Sequence, residues 1–194
     1  MCDPRSLTEV RRKDRQVEDD AFIRSLLHRA PMGIMATVRG GQPFINSNMF
    51  VFDEAEHVIY MHSARTGRTA SNVEAEDAVC FSVTEMGRLL PSERAFNMSV
   101  EYNGVVVFGR ARLVEDPLEK RWMLDLLVRK YFPHLAPGDD YRLPNDDELK
   151  LTAVYRIVID EWSGKQKKVE DDFPGAFRYG EHGAARGSST TRDE

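Results

Sequence analysis

Cysteine is scarce in this chain: 194 residues contain two, Cys2 and Cys80. Two thiols cannot build a disulfide framework or a four-cysteine metal site, so a reducing cytoplasmic compartment is expected. Long apolar runs are also missing; none approaches the roughly 20 residues that a membrane-spanning helix needs. The opening residues 1–16 hold no apolar stretch of the secretory-signal kind. Positive charge is not in excess, because 27 Lys and Arg stand against 32 Asp and Glu. A net charge of −5 argues against a protein that lives on nucleic-acid phosphates or an anionic membrane. No HExxH, CxxC, P-loop, GxGxxG or GxSxG pattern occurs. The five histidines are scattered, and no metal site is expected.

What is present is one patterned region between two polar ends. Residues 1–15 read as a polar arm and residues 169–194 as a Gly/Ser/Thr-rich, charged tail that is expected to fray. Between them, residues 16–168 read as a single domain in which strands dominate. Strands are expected at 33–38, 43–52, 57–63, 78–83, 102–114 and 151–159, with Gly109 as a bulge or point of close approach. Helices are expected at 20–30, at 67–76, and from Asp116 to about Pro133. The last of these opens on an acidic cap, a first-turn proline and Glu119, and its apolar face is read as Leu118, Trp122, Leu126 and Leu127. Few helices and many short turns imply an antiparallel barrel or sandwich, with a closed barrel favoured by the long strand ending at Val114.

The most informative segment is 57–72, in which a strand ends in His62-Ser63, a loop carries Arg65, Thr66 and Gly67, and a helix starts at Arg68-Thr69. First-turn amides lacking partners, the helix dipole, hydroxyls and two arginine forks together make an anion site suited to phosphate. The plainer reading is a helix capped by Thr66 with two solvated arginines. On the preceding strand, Asn46 and Asn48 interrupt an otherwise apolar run with amides that need partners. Trp162 follows the last strand, either closing the barrel end or offering a flat surface to a planar ligand. Cys80, in an apolar strand with no basic neighbour, reads as a core residue.

In order and spacing, several segments resemble the pyridoxamine 5'-phosphate oxidase-like, FMN-binding split-barrel superfamily, and within it the nitroimidazole-resistance branch. They are residues 11–15, Ala30-Pro31-Met32-Gly33, Met61-His62-Ser63-Ala64 with Gly67-Arg68, residues 78–81, residues 101–111, and Trp162-Ser163-Gly164-Lys165. The resemblance implies a mainly β fold, a split β-barrel, antiparallel and Greek-key-like, with a few peripheral helices. It implies a homodimer holding FMN between subunits. Asn46, Ser47, Asn48, Met49 and Phe50 would line the flavin ring, largely through backbone groups. His62 and Ser63 would lie near ring and ribityl phosphate, Arg68 and Thr69 would hold the phosphate, and Trp162 would approach the flavin. Thr69 stands where many relatives carry lysine, a charge that Arg65 can replace. Gly104 stands where relatives carry a polar side chain, so no contact is assigned to it. The Arg-x-His motif of true pyridoxamine phosphate oxidases is missing after Trp162, so vitamin B6 oxidation is not expected. The implied activity is flavin-dependent reduction of a small electron acceptor such as a nitro-aromatic, fed by a nicotinamide cofactor or a reductase. His62 is the candidate proton donor. Haem or a deazaflavin in the same barrel, or a non-enzymatic FMN store or redox sensor, are the alternatives.

Overall fold

The computed structural model describes residues 6–181. Eight antiparallel strands form one sheet: β1 (Gln16–Val17), β2 (Gly33–Arg39), β3 (Gln42–Asn48), β4 (Phe50–Asp53), β5 (Val58–Ala64), β6 (Ala78–Leu90), β7 (Ser99–Leu113) and β8 (Thr152–Lys167). The spatial order is β3-β2-β6-β7-β8-β5-β4, with β1 added alongside β8. The four helices are α1 (Asp20–Arg29), α2 (Arg68–Ala75), α3 (Pro117–Tyr131) and α4 (Asp146–Leu151). The mainly β, antiparallel expectation holds.

The sheet curls on itself. β2 and β4 stand far apart in the strand order, yet a Cβ on Gly33 would lie 2.1 Å from the Phe81 ring and 3.0 Å from Phe50. Met35, Phe50, Phe81, Val107 and Ile157 accordingly share one buried cluster, closed at one end by Ile23, Leu26 and Leu27 of α1. The sheet path still has two ends, at β3 and β4, so the barrel is split rather than closed.

Alternation decides which side each residue serves. On β5, Ile59 and Met61 enter the barrel core, whereas Val58 and Tyr60 face a second cluster built with Met123 and Leu127 of α3. The same rule corrects the reading of Cys80. Its neighbours Val79 and Phe81 face the core, so Cys80 points outward and is only half-buried. Cys2 lies outside the described residues.

Several boundaries differ from the sequence reading. The expected strand at 43–52 is two strands, because Asn48 Oδ1 accepts from the Met49 N–H at 2.8 Å and breaks the ladder. β8 runs on to Lys167, so Trp162 lies within a strand rather than beyond it. The bulge expected at Gly109 is present, and a Cβ there would meet the Val158 carbonyl oxygen at 2.2 Å. On α3, Asp116 caps the Leu118 N–H at 3.0 Å as expected. Its buried residues, however, are Lys120, Met123 and Leu127, while Leu118 is 74% exposed. The helix is rotated relative to its apparent apolar stripe because Met123 and Leu127 fill the gap over β4 and β5. α4 was not foreseen; it opens on a capping box between Asn145 and Glu148.

Both ends dock in part. Val10 is buried and β1 pairs with β8, so the polar arm packs beside the barrel. Arg88 forks onto Glu101 at 2.8 and 2.9 Å and binds the carbonyls of Val169, Glu170 and Asp171. Leu89 and Phe177 bridge, so the tail is strapped at least that far. Residues 182–194 of the expected frayed tail lie outside the described residues.

Candidate functional site

The corner between β5 and α2 is built by glycine. Gly67 is the N-cap of α2 with φ 144° and ψ 178°, a backbone state essentially reserved for glycine. No side chain caps this helix, so Thr66 does not play the capping part of the plainer reading. The first-turn amides are left without intrahelical partners at the positive end of the helix dipole.

Arg68 stands at that end with its guanidinium 5.3 Å from the Phe44 ring. A cleft of about 400 Å³ opens there, lined by Arg39, Gln42, Phe44, Arg68, Ser71 and Asn72. No acid lines it. Neither Arg39 nor Arg68 has an ion-pair partner among the described residues. Two free guanidinium forks beside an uncapped helix start can bind an anion.

Polar ties hold the cleft in shape. Buried Asn72 donates to Thr37 Oγ1 at 2.9 Å, and Thr37 donates to the Phe44 carbonyl at 3.4 Å. Asn46 donates to Thr69 Oγ1 at 3.4 Å, so two expected site residues meet between β3 and α2. Arg39 was missed by the sequence reading. Its only signal was the position before the Gly40-Gly41 turn, and its meeting with Arg68 is a long-range event.

His62 and Ser63 are adjacent in sequence and therefore face opposite ways. The Ser63 hydroxyl shares a 3.0 Å hydrogen bond with the buried Tyr155 hydroxyl on the barrel side. His62 faces α3 with Met49 and lines a cavity of about 870 Å³ closed by α3 and the segment leading to α4. The walls are mainly apolar, with Trp122, Leu124, Leu127, Phe132 and Leu143. Neither His62 ring nitrogen has a hydrogen-bond partner among the described residues, and Nδ1 is buried. Burial pushes its pKa down, which keeps the imidazole neutral. Asn48 Nδ2 donates to the His62 carbonyl and ties the β3 end to this strand.

The remaining expected residues fall elsewhere. Ser47 is exposed on the outer face of β3. Phe50 is wholly buried, with its N–H and carbonyl both taken by the Tyr131 hydroxyl at 3.0 and 3.1 Å. Arg65 faces Glu115 at 3.5 Å, away from the Arg68 cleft. Trp162 donates to Asp20 at 2.9 Å and packs on His57 and Phe52. Val154 is the partner of His62 in the ladder. Trp162 lies eight residues along β8 from it, roughly 25 Å at strand rise.

The curled antiparallel sheet is a split barrel, and the basic, uncapped helix start at its rim is an arrangement suited to an anionic ligand. The chain belongs to the pyridoxamine 5'-phosphate oxidase family, whose sequence pattern matches residues 19–166. Among solved structures it is similar to the flavocytochrome Anf3 of Azotobacter vinelandii, at 25% identity and a TM-score of 0.75, covering 91% of this chain and 86% of that one. It also shares its fold with the FAD and heme binding protein of Mycobacterium smegmatis, at 22% identity and a TM-score of 0.71, covering 80% of this chain and 74% of that one. A putative 5-nitroimidazole antibiotic resistance protein of Bacteroides thetaiotaomicron is similar at 22% identity and a TM-score of 0.64, covering 78% and 86% of the two chains. No curated protein matches.

Proposed function

We propose that this protein is a flavin-dependent oxidoreductase that holds FMN, with the ribityl phosphate on the first turn of α2 between Arg68 and Arg39. The observation that carries this reading is the uncapped helix start beside two arginines that have no acid partner among the described residues. Thr69 and Asn46, already tied to each other, hold the wall on which the flavin rests. When bound, the flavin supplies hydride or single-electron transfer, and the chain supplies charge neutralisation, orientation and exclusion of water. The acceptor is a small planar molecule such as a nitro-aromatic; the donor is a nicotinamide cofactor or a reductase.

A homodimer fits this reading for a geometric reason. Trp162, which the family resemblance puts by the flavin, lies at the far end of β8 from His62 and Ser63, so a second copy is needed to bring it there. Ile34 and Ile45, exposed on the outer face of adjacent strands, offer an apolar surface for that copy.

A second prosthetic group is favoured by one specific observation. His62 presents an imidazole with no hydrogen-bond partner among the described residues to a large, mainly apolar cavity, so its ring nitrogen would be able to hold a haem iron. Similarity to a flavocytochrome supports it. Haem, when bound, would supply single-electron chemistry. The test is the absorbance of the protein as purified, with mass spectrometry of the released ligand. Flavin bands are expected, joined by a Soret band that His62→Ala abolishes. A colourless protein that does not take up FMN would overturn the proposal, and a Soret band indifferent to His62→Ala would overturn the role given to His62.

A further inference from the structure

The loop that presents Arg68 to one cleft presents Arg65 to another. This second cavity, of about 750 Å³, lies where α3 starts and α4 ends. Four cations line it, Arg65, Lys120, Arg121 and Lys150, against two carboxylates, Glu115 and Asp146. Two of the cations are committed. Arg121 binds the Pro144 carbonyl and Asp146, and Lys150 binds Asp147 at 2.9 Å.

Lys120 is the informative one. It is 95% buried, at 5% relative exposure, an unusual place for an ammonium. Among the described residues its Nζ makes one hydrogen bond, to the Thr152 carbonyl, at 3.4 Å. That is long for a charged donor, and an ammonium carries three protons to place. A buried cation so poorly served costs free energy unless an anion completes it. Arg65 lines the same cavity, held among the described residues only by a 3.5 Å contact to the exposed Glu115, so its fork can turn to a ligand.

We propose that this cavity is a binding site for a nucleoside diphosphate, with the diphosphate between Lys120 and Arg65. An ammonium point charge beside a planar guanidinium fork suits phosphoryl oxygens. The cavity is far larger than a lone oxyanion requires and falls in the range of small-molecule pockets. Leu118, 74% exposed at its edge, offers an apolar surface to a base. Beside a bound FMN, the ligand that carries this chemistry is a nicotinamide dinucleotide acting as electron donor; that identity rests on the oxidoreductase reading above, whereas the diphosphate site itself does not.

The test is calorimetric titration of ADP into the purified full chain with its bound cofactor, compared with Lys120→Met and Arg65→Gln. ADP should bind the wild type, and each substitution should weaken it roughly tenfold or more, as loss of a charge-assisted bond requires. Pyrophosphate should compete weakly and adenosine not at all. Displacement of ADP by NADH identifies the donor. If Lys120→Met fails to fold by circular dichroism, Arg65→Gln carries the test. The inference is overturned if the wild type ignores ADP, if the folded variants bind it as the wild type does, if pyrophosphate binds as tightly as ADP, or if NADH does not displace it. Absence of ADP binding in protein that still holds flavin overturns this site alone and leaves the oxidoreductase reading standing.

Discussion

Replacing Gly67 with alanine tests the backbone that makes the anion corner. A Cβ at this position would meet no heavy atom within 4 Å, so the substitution creates no clash. The whole cost is conformational. At φ 144° and ψ 178° an L-residue is held in a region it rarely adopts, at about 1–3 kcal/mol. For a chain of this length that corresponds to a fall in Tm of roughly 2–12 °C. Gly40→Ala is the control: its φ is 57°, in the left-handed helical region, where a side chain costs only about 1 kcal/mol. Differential scanning calorimetry on both variants should rank Gly67→Ala as the more destabilised. FMN affinity should fall for Gly67→Ala alone, because relaxing the strain turns the first-turn amides of α2 away from the phosphate. If Gly67→Ala melts with the wild type and binds FMN equally well, the corner is not held by this backbone state and the reasoning fails.

Two further outcomes follow from the packing. Tyr131→Phe removes a hydroxyl that accepts from the N–H of buried Phe50 and shares its one proton between the Phe50 and Pro31 carbonyls, and should cost about 1–3 kcal/mol in urea unfolding; no loss would mean Phe50 is satisfied otherwise. The Arg88 fork and the Val169 N–H hold the Glu101 carboxyl down at about 2, below its ordinary 4.5. A carboxyl lowered on folding stabilises the protein above pH 4.5, and that contribution fades as pH falls toward 2. Glu101→Gln should therefore flatten the acid side of a Tm-against-pH profile, and an unchanged profile would refute the assignment.

Legibility followed locality. The hairpin of β2 and β3, the start of α3 and the Gly109 bulge all write their signals within a few residues, and each was readable. The β5–α2 corner was readable for the same reason, since strand end, glycine and arginine lie in one short segment. What could not be read depends on partners distant in sequence. Arg39 joins Arg68 only because the β2–β3 hairpin lies against α2. The buried face of α3 is set by the hole over β4 and β5, so Met123 and Lys120 are covered where periodicity favoured Leu118. His62 and Ser63 looked like one pair, yet strand alternation sends them to opposite faces of β5. Trp162 was seen as a site residue but not as one at the far end of β8, because strand length is decided by pairing with β7.

The central claim is that Arg68 and the start of α2 hold the phosphate of a flavin. Titration of FMN into flavin-free wild type and Arg68→Ala, followed by quenching of flavin fluorescence, tests it directly. Loss of one charge-assisted phosphate bond should raise Kd roughly 10–150-fold, with riboflavin, which lacks the phosphate, bound equally weakly by both proteins. Equal FMN affinity in the two proteins would contradict the claim.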